Sequence, residues 1–268
     1  MSLGSARLPR HLLTIDIGNT NVVLGVFERE RLLNTWRLST GARRTTDEVK
    51  LYTHPLLQME GIDRDTIQGI ALSSVVPKLT GLYVDALEEL LGQRALVVDH
   101  TTRTDLKIEY LNPAEVGSDR LANAVGARKV FGKPVIAVDF GTAITLDILT
   151  EDDRYLGGAI LPGPLMAAEA LYRGTAKLPQ ISLEKPEACI GRSTEMGIRS
   201  GLYFGFAGAI DLLIEKTREE TGIPFRAVAT GGLGRLISEQ CRQIEDYHPH
   251  LTLLGLREIW LMSQEKRP

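Results

Sequence analysis

The sequence predicts an α/β protein built from two similar halves, each a mixed sheet flanked by helices. Two observations carry this expectation. The first is an internal repeat. Residues 12–27 read LLTIDIGNTNVVLGVF and residues 135–149 read VIAVDFGTAITLDIL. Each is an apolar, β-branched run that ends in Asp-x-Gly, with a threonine close behind and a second apolar run after it. That is the pattern of a hairpin around a small-residue turn. The two aspartates, Asp16 and Asp139, stand about half a chain apart, which suggests a duplication with domains at 10–128 and 129–268. The second observation is a crossover. Ile67 to Pro77 and Ala95 to Asp99 are apolar runs of strand length, and Leu79 to Leu91 between them has helical spacing. Strand–helix–strand connections favour parallel pairing, so each sheet combines antiparallel and parallel neighbours.

The other elements follow in chain order. Glu115 to Val130 reads as a helix, with Ala122, Ala124 and Ala127 for close packing. Pro162-Gly163-Pro164 and Lys185-Pro186 mark loops. Gly197 to Arg218 is a long helical stretch whose Gly201, Gly205 and Gly208 suit close helix contact. Phe225 to Thr230 is a strand stopped by Gly231-Gly232-Leu233-Gly234; Arg235 to Cys241 and Leu254 to Met262 follow as helices.

Composition narrows the function classes. Of 268 residues, 43% are hydrophobic and 24% charged, as in an ordinary globular protein. Lys and Arg number 31 against 34 Asp and Glu, so no polybasic surface for nucleic acid or membrane organises the chain. Two cysteines, Cys189 and Cys241, cannot build a disulfide framework or a four-cysteine zinc site. The five histidines show no metal spacing; His248 and His250 alternate, as exposed residues near a strand start would. No apolar run reaches the length of a membrane helix, and the basic first ten residues lack an apolar signal core. The expectation is a cytoplasmic protein with a disordered leader of ten residues.

The turns suggest chemistry. In Asp16-Ile17-Gly18-Asn19-Thr20-Asn21 a strand ends in a carboxylate, a glycine allows close backbone approach, and several donors follow. Phosphate oxygens need such donors. A carboxylate beside phosphates repels them unless a cation intervenes, and Mg²⁺ suits oxygen ligands and phosphates. The alternative is a tight hairpin whose Asp and Asn only satisfy the turn. Thr142 in the second turn can donate to a phosphate and Asp139 can hold a cation. The Gly231-Gly232-Leu233-Gly234 turn leaves room for a flat nucleoside, or else merely starts a helix. It lacks the spacing of a dinucleotide fingerprint, and Gly132-Lys133-Pro134 is not a P-loop.

With its two Asp-x-Gly turns and late Gly-Gly turn in this order, the chain resembles the actin-like ATPase superfamily of acetate and sugar kinases. More narrowly, it resembles type III pantothenate kinases. The segments that carry the likeness are IDIGNTNVVLGVF, NPAEVGSDRLANAVGA, VIAVDFGTAITLDIL, GGAILPGPLMAAEALYRGTAKLP, IGRSTEMGIRSGLYFGFAGAID and ATGGLG, from Ile15 to Gly234. The resemblance implies two ribonuclease H-like (actin-like ATPase) domains and ATP-dependent phosphorylation of pantothenate to 4′-phosphopantothenate, the first step towards coenzyme A. It implies Mg²⁺, K⁺ or NH₄⁺ as a monovalent cation, and a homodimer, with neither nucleic acid nor membrane as a partner. Asp16, Ile17, Gly18, Asn19, Thr20, Asn21, Val22 and Val23 would surround the ATP phosphates, and Thr142 would touch ATP. Asp139 would bind the monovalent cation. Tyr110, Gly117, Ser118, Asp119, Arg120 and Thr194 would line the pantothenate pocket, with Asp119 the general base.

Read without the resemblance, these residues keep plainer roles. Asp119 is then a helix N-terminal carboxylate favoured by the helix dipole, and Arg120 a surface ion pair. Tyr110 is loop packing and Thr194 a helix cap. Apolar Leu202, Tyr203, Phe204 and Phe206 on one long helix would suit a subunit contact. A non-catalytic accessory protein on the same scaffold is the competing function.

Overall fold

A computed structural model describes residues 9–41 and 43–265. In chain order its elements are β1 (His11–Ile17), β2 (Asn21–Glu28), β3 (Arg31–Ser39), α1 (Thr46–Met59), β4 (Ile67–Ser74), α2 (Pro77–Leu91), β5 (Ala95–Val97), β6 (Lys107–Ile108) and α3 (Ser118–Phe131). Then come β7 (Val135–Phe140), β8 (Ala143–Leu149), β9 (Arg154–Gly157), β10 (Ile160–Pro162), α4 (Pro164–Gly174), α5 (Thr194–Thr221), β11 (Arg226–Thr230), α6 (Gly234–Ser238), β12 (Asp246–Tyr247) and α7 (Leu251–Gln264). All but Pro9 and Arg10 of the expected disordered leader lies outside the described residues.

The chain forms two compact units. Unit 1 holds the described residues up to Leu106, Leu111–Lys129 and those from Thr252 onward; unit 2 holds Lys107–Tyr110 and Val130–Leu251. Division of the sequence after residue 128 assigns the last helix to the second half, whereas its contacts group it with the first. The reason is packing. A β-carbon at Gly255 in α7 would lie 1.8 Å from the Ala122 carbonyl oxygen, and one at Gly69 in β4 would lie 2.3 Å from Trp260. The two helices and the sheet approach as closely as backbone allows.

In unit 1 the sheet order is β3-β2-β1-β4-β5, with β1 antiparallel to β2 and parallel to β4. Side chains alternate along β1. Leu13, Ile15 and Ile17 face a core with Val49 and Leu57 of α1 and Tyr83 and Leu87 of α2. Leu12 faces the opposite core, with Ala122 and Val125 of α3 and Leu256, Ile259 and Trp260 of α7. By the same alternation Asp16 points to the α3–α7 face. The Thr45 side chain accepts from Glu48 N–H and Glu48 accepts from Thr45 N–H, a capping box that starts α1.

Unit 2 repeats the theme in a sheet ordered β12-β11-β7-β8-β9-β6, with β10 on β8. Strand β7 is antiparallel to β8 and parallel to β11. Ile136, Val138 and Phe140 pack with Ala207, Ile210 and Ile214 of α5 and Ile237 of α6. Asp139 therefore lies on the other face of β7.

Several expectations need correction. Pro164 begins α4 instead of marking only a loop, which is the normal place for proline in a helix. Helix α3 starts at Ser118; Pro113–Glu115 forms a separate 3₁₀ turn. His248 and His250 are half-buried between β12 and α7, and burial pulls the His248 imidazole below its ordinary value. Tyr203 is fully buried and Leu202 nearly so within unit 2, and Phe206 packs partly on its core, whereas Phe204 is half-buried. Among the described residues one helix, α5, is long and apolar enough to cross a membrane by length and composition. Arg199 and Asp211 within it interrupt the apolar run in the sequence.

Candidate active site

In unit 1 the first turn joins β1 to β2. Gly18 N–H donates to Asn21 O at 2.9 Å. Thr40, just past β3, clasps this turn: its N–H donates to Thr20 O at 2.9 Å and its Oγ1 to Gly18 O at 2.7 Å. Asn19 and Thr20 are exposed. Ile17 and Val22 are fully buried, so they offer a ligand backbone groups, not side chains. Asp16 pairs in register with Ser73 at the end of β4, and Ser73 Oγ donates to Asp16 Oδ1 at 2.7 Å.

The next residue reaches the start of α3. Ser74 N–H donates to Ser118 Oγ at 2.9 Å, and Ser118 Oγ lies 3.3 Å from Ser74 O. Ser118 opens α3, and Asp119 follows in its first turn. Arg120 N–H donates to Asp119 Oδ1 at 2.8 Å. Gly117 makes room for that carboxylate, because a β-carbon there would lie 2.4 Å from Oδ1. Asp119 is half-buried; desolvation of its carboxyl pushes it above the usual carboxylate range, and the Arg120 N–H and charge only partly oppose it. Desolvation here outweighs the backbone N–H groups and the Arg120 charge that favour the ionised form. Arg120 itself is 5% exposed, which removes the surface ion-pair reading.

In unit 2 the second turn is built the same way. Asp139 pairs with Thr145 on β8 and with Thr230 at the end of β11. Thr230 is the counterpart of Ser73: in each unit the aspartate faces a hydroxyl residue across a parallel pair. Gly231 has φ +88°, and a β-carbon there would lie 2.3 Å from Asp139 Oδ1 and 2.7 Å from Phe140 O. The Gly-Gly turn is thus folded onto the Asp139 carboxylate. Thr142 O accepts from Gly163 N–H at 2.9 Å, and Gly231 O accepts from Tyr247 Oη at 3.2 Å. Tyr110 follows β6, and its ring packs so close to Gly157 that a β-carbon there would lie 2.7 Å from Cε2. Thr194 opens α5 and is exposed; the cap is Ser193, whose Oγ accepts from Met196 N–H at 3.2 Å.

Among the described residues no group of three or more His, Cys, Asp or Glu is placed to hold a metal ion. The donor set suits a cation brought with phosphates. Mg²⁺ is commonly held by one or two carboxylates plus substrate phosphates, and Asp16 beside an exposed donor turn fits that mode. Asp139, with the Phe140 carbonyl close to the same glycine, offers the oxygen donors that a monovalent cation takes.

Sequence reasoning passed over Thr40, Ser73 and Ser74. A signal was present: two adjacent serines end the otherwise apolar run IQGIALSS, level with Asp16.

A family model described as type III pantothenate kinase matches residues 12–216. A type III pantothenate kinase of Geobacter sulfurreducens is 41% identical over 254 residues, which are 95% of this chain and 100% of that one. Among solved structures, a putative Baf family transcriptional activator from Campylobacter jejuni has a TM-score of 0.58 at 19% identity, covering 92% of this chain and 96% of that one. A putative N-acetylmannosamine kinase from Listeria monocytogenes has a TM-score of 0.54 at 13% identity, covering 95% and 100%. At those identities the structural likeness speaks for the fold alone.

Proposed function

The chain belongs to the type III pantothenate kinase family, and from that premise we propose how its own residues divide the work of the reaction. It phosphorylates pantothenate with ATP in coenzyme A biosynthesis; the residue roles below are our reading.

The turn Asp16–Val23 receives the ATP phosphates. Asn19 and Thr20 supply exposed donors, and Thr40 keeps the turn from opening. Thr142 touches ATP as well. When bound, Mg²⁺ neutralises charge on the phosphate chain; Asp16 is the carboxylate that would hold it. Asp139 would hold K⁺ or NH₄⁺. Tyr110, Gly117, Ser118, Arg120 and Thr194 are assigned to pantothenate, Arg120 as the cation for its carboxylate.

Asp119 is the general base. Phosphoryl transfer is mostly positioning and charge stabilisation, but the attacking primary alcohol must lose its proton as the O–P bond forms. That proton goes to the Asp119 carboxylate, the new bond forms to the γ-phosphorus, and the bond to the bridging oxygen of ADP breaks. A base works best when its pKa approaches the working pH, and burial moves Asp119 in that direction. The observation that carries this reading is the continuous link inside unit 1 from Asp16 through Ser73, Ser74 and Ser118 to Asp119.

We also propose a cytoplasmic homodimer that uses neither DNA nor a membrane. The exposed apolar residues Leu165, Met166, Leu171 and Tyr172 of α4 support a subunit contact. The test of function is direct. Purified chain with γ-labelled ATP, Mg²⁺ and K⁺ should place one phosphate on the 4′-hydroxyl of pantothenate. Label on a different acceptor from a panel of small alcohols, with none on pantothenate, would overturn the reading.

A further inference from the structure

We propose that Ser73 and Ser74, at the end of β4, are positioning residues that hold the two carboxylates of unit 1 in register. The inference rests on the assignment of Asp16 and Asp119 above, and adds residues that touch neither substrate.

Ser73 is fully buried and stands directly across the β1–β4 pair from Asp16. Its hydroxyl donates to Oδ1 at 2.7 Å, a length typical of a charge-assisted bond to a carboxylate. The bond favours one carboxylate orientation. Ser74 acts through its backbone. Its N–H donates to Ser118 Oγ and its carbonyl accepts from the same hydroxyl. One peptide segment thereby fixes the residue that begins α3, and Asp119 follows immediately. The Ser74 side chain is held in turn, accepting from Thr80 Oγ1 at 2.8 Å and Val76 N–H at 3.2 Å at the start of α2. Adjacent strand residues are separated by about 3.3 Å along the strand, so the links to Asp16 and to α3 are nearly rigid with respect to each other. A shift of β4 would move both carboxylates together and preserve their spacing.

The test separates Ser73 from a merely structural serine. Ser73→Ala should weaken MgATP binding about tenfold, as loss of a hydrogen bond to a charged group does, read by calorimetry without pantothenate. It should lower kcat by a similar factor and leave the KM for pantothenate within about twofold. Ser73→Cys keeps the volume but is a weak donor, and should fall between wild type and alanine. Combined with Asp16→Ala, which removes the acceptor of its hydroxyl, Ser73→Ala should weaken MgATP binding no further. Ser118→Ala should leave MgATP affinity unchanged and shift the pH profile of kcat. Wild-type MgATP affinity in Ser73→Ala, or full additivity with Asp16→Ala, would overturn the proposal. If Asp16→Ala itself left MgATP binding intact, the site assignment would fail instead.

Discussion

Replacing Gly117 by alanine gives a sharp test of the Asp119 geometry. The added β-carbon would lie 2.4 Å from Asp119 Oδ1, 3.6 Å from its Cγ and 3.7 Å from Arg120 Cγ. Ordinary contacts begin near 3.4 Å, so the carboxylate oxygen has to retreat by about 1 Å. That motion breaks its 2.8 Å bond from Arg120 N–H. A misplacement of about 1 Å at a reacting group costs on the order of 100-fold in rate, near 2.7 kcal/mol in the barrier. The fold should be little affected. The Gly117 φ is not in the left-handed region, and Gly→Ala at a compatible backbone gains roughly 0.4–1 kcal/mol through the unfolded state, which offsets much of the local clash. The assay is a coupled measurement of ADP release against pantothenate and ATP, beside a thermal melt. We expect kcat about 100-fold lower, MgATP affinity within twofold and a melting temperature within a few degrees. Wild-type kcat in Gly117→Ala would refute the placement of the base.

Three further outcomes are expected. Thr40→Val removes the hydroxyl clasp on Gly18 O and should weaken MgATP binding by about three- to tenfold, the value of one net hydrogen bond; unchanged calorimetry would show that the turn holds itself. Replacing K⁺ and NH₄⁺ with Na⁺ should suppress turnover in wild type, and Asp139→Asn should make activity indifferent to the choice of cation; equal wild-type rates in all three salts would remove that role. Cys189 is exposed, whereas burial pushes the Cys241 thiol up to about 12, so iodoacetamide at pH 8 should modify Cys189 in the folded protein and both residues in denaturant; fast native labelling of Cys241 would contradict its packing.

The duplicated framework was legible because a repeated apolar hairpin is a strong local signal, and β1–β2 and β7–β8 form where it lies. Helix α1 was missed although Thr45 and Glu48 spell a capping box, because Pro55 interrupts its apolar period. Strands β6, β10 and β12, two or three residues each, are set by pairing partners, not by their own pattern. The assignment of α7 to unit 1 depends on Gly69 and Gly255 accepting close neighbours far away in sequence, which no local window reveals. The aspartates were visible as strand ends, while the serines that brace them became meaningful only once the β1–β4 register was known. Burial of Asp119 was equally hidden: sequence shows a helix N-terminus, and only packing shows that desolvation dominates there.

Asp119→Asn tests the whole account most directly, by pairing turnover with stability across pH. Burial raises the folded carboxyl above its unfolded value, so the native state binds its proton more tightly. That carboxyl therefore costs stability as pH rises through the ordinary carboxylate range, and the cost is complete above the raised folded value. The variant should melt higher than wild type at neutral pH, with the advantage fading in acid. It should bind MgATP normally and lose roughly 100- to 10,000-fold in kcat, the usual contribution of a general base. Turnover at the wild-type rate, with no gain in neutral-pH stability, would contradict both the burial of this carboxylate and its role as the base.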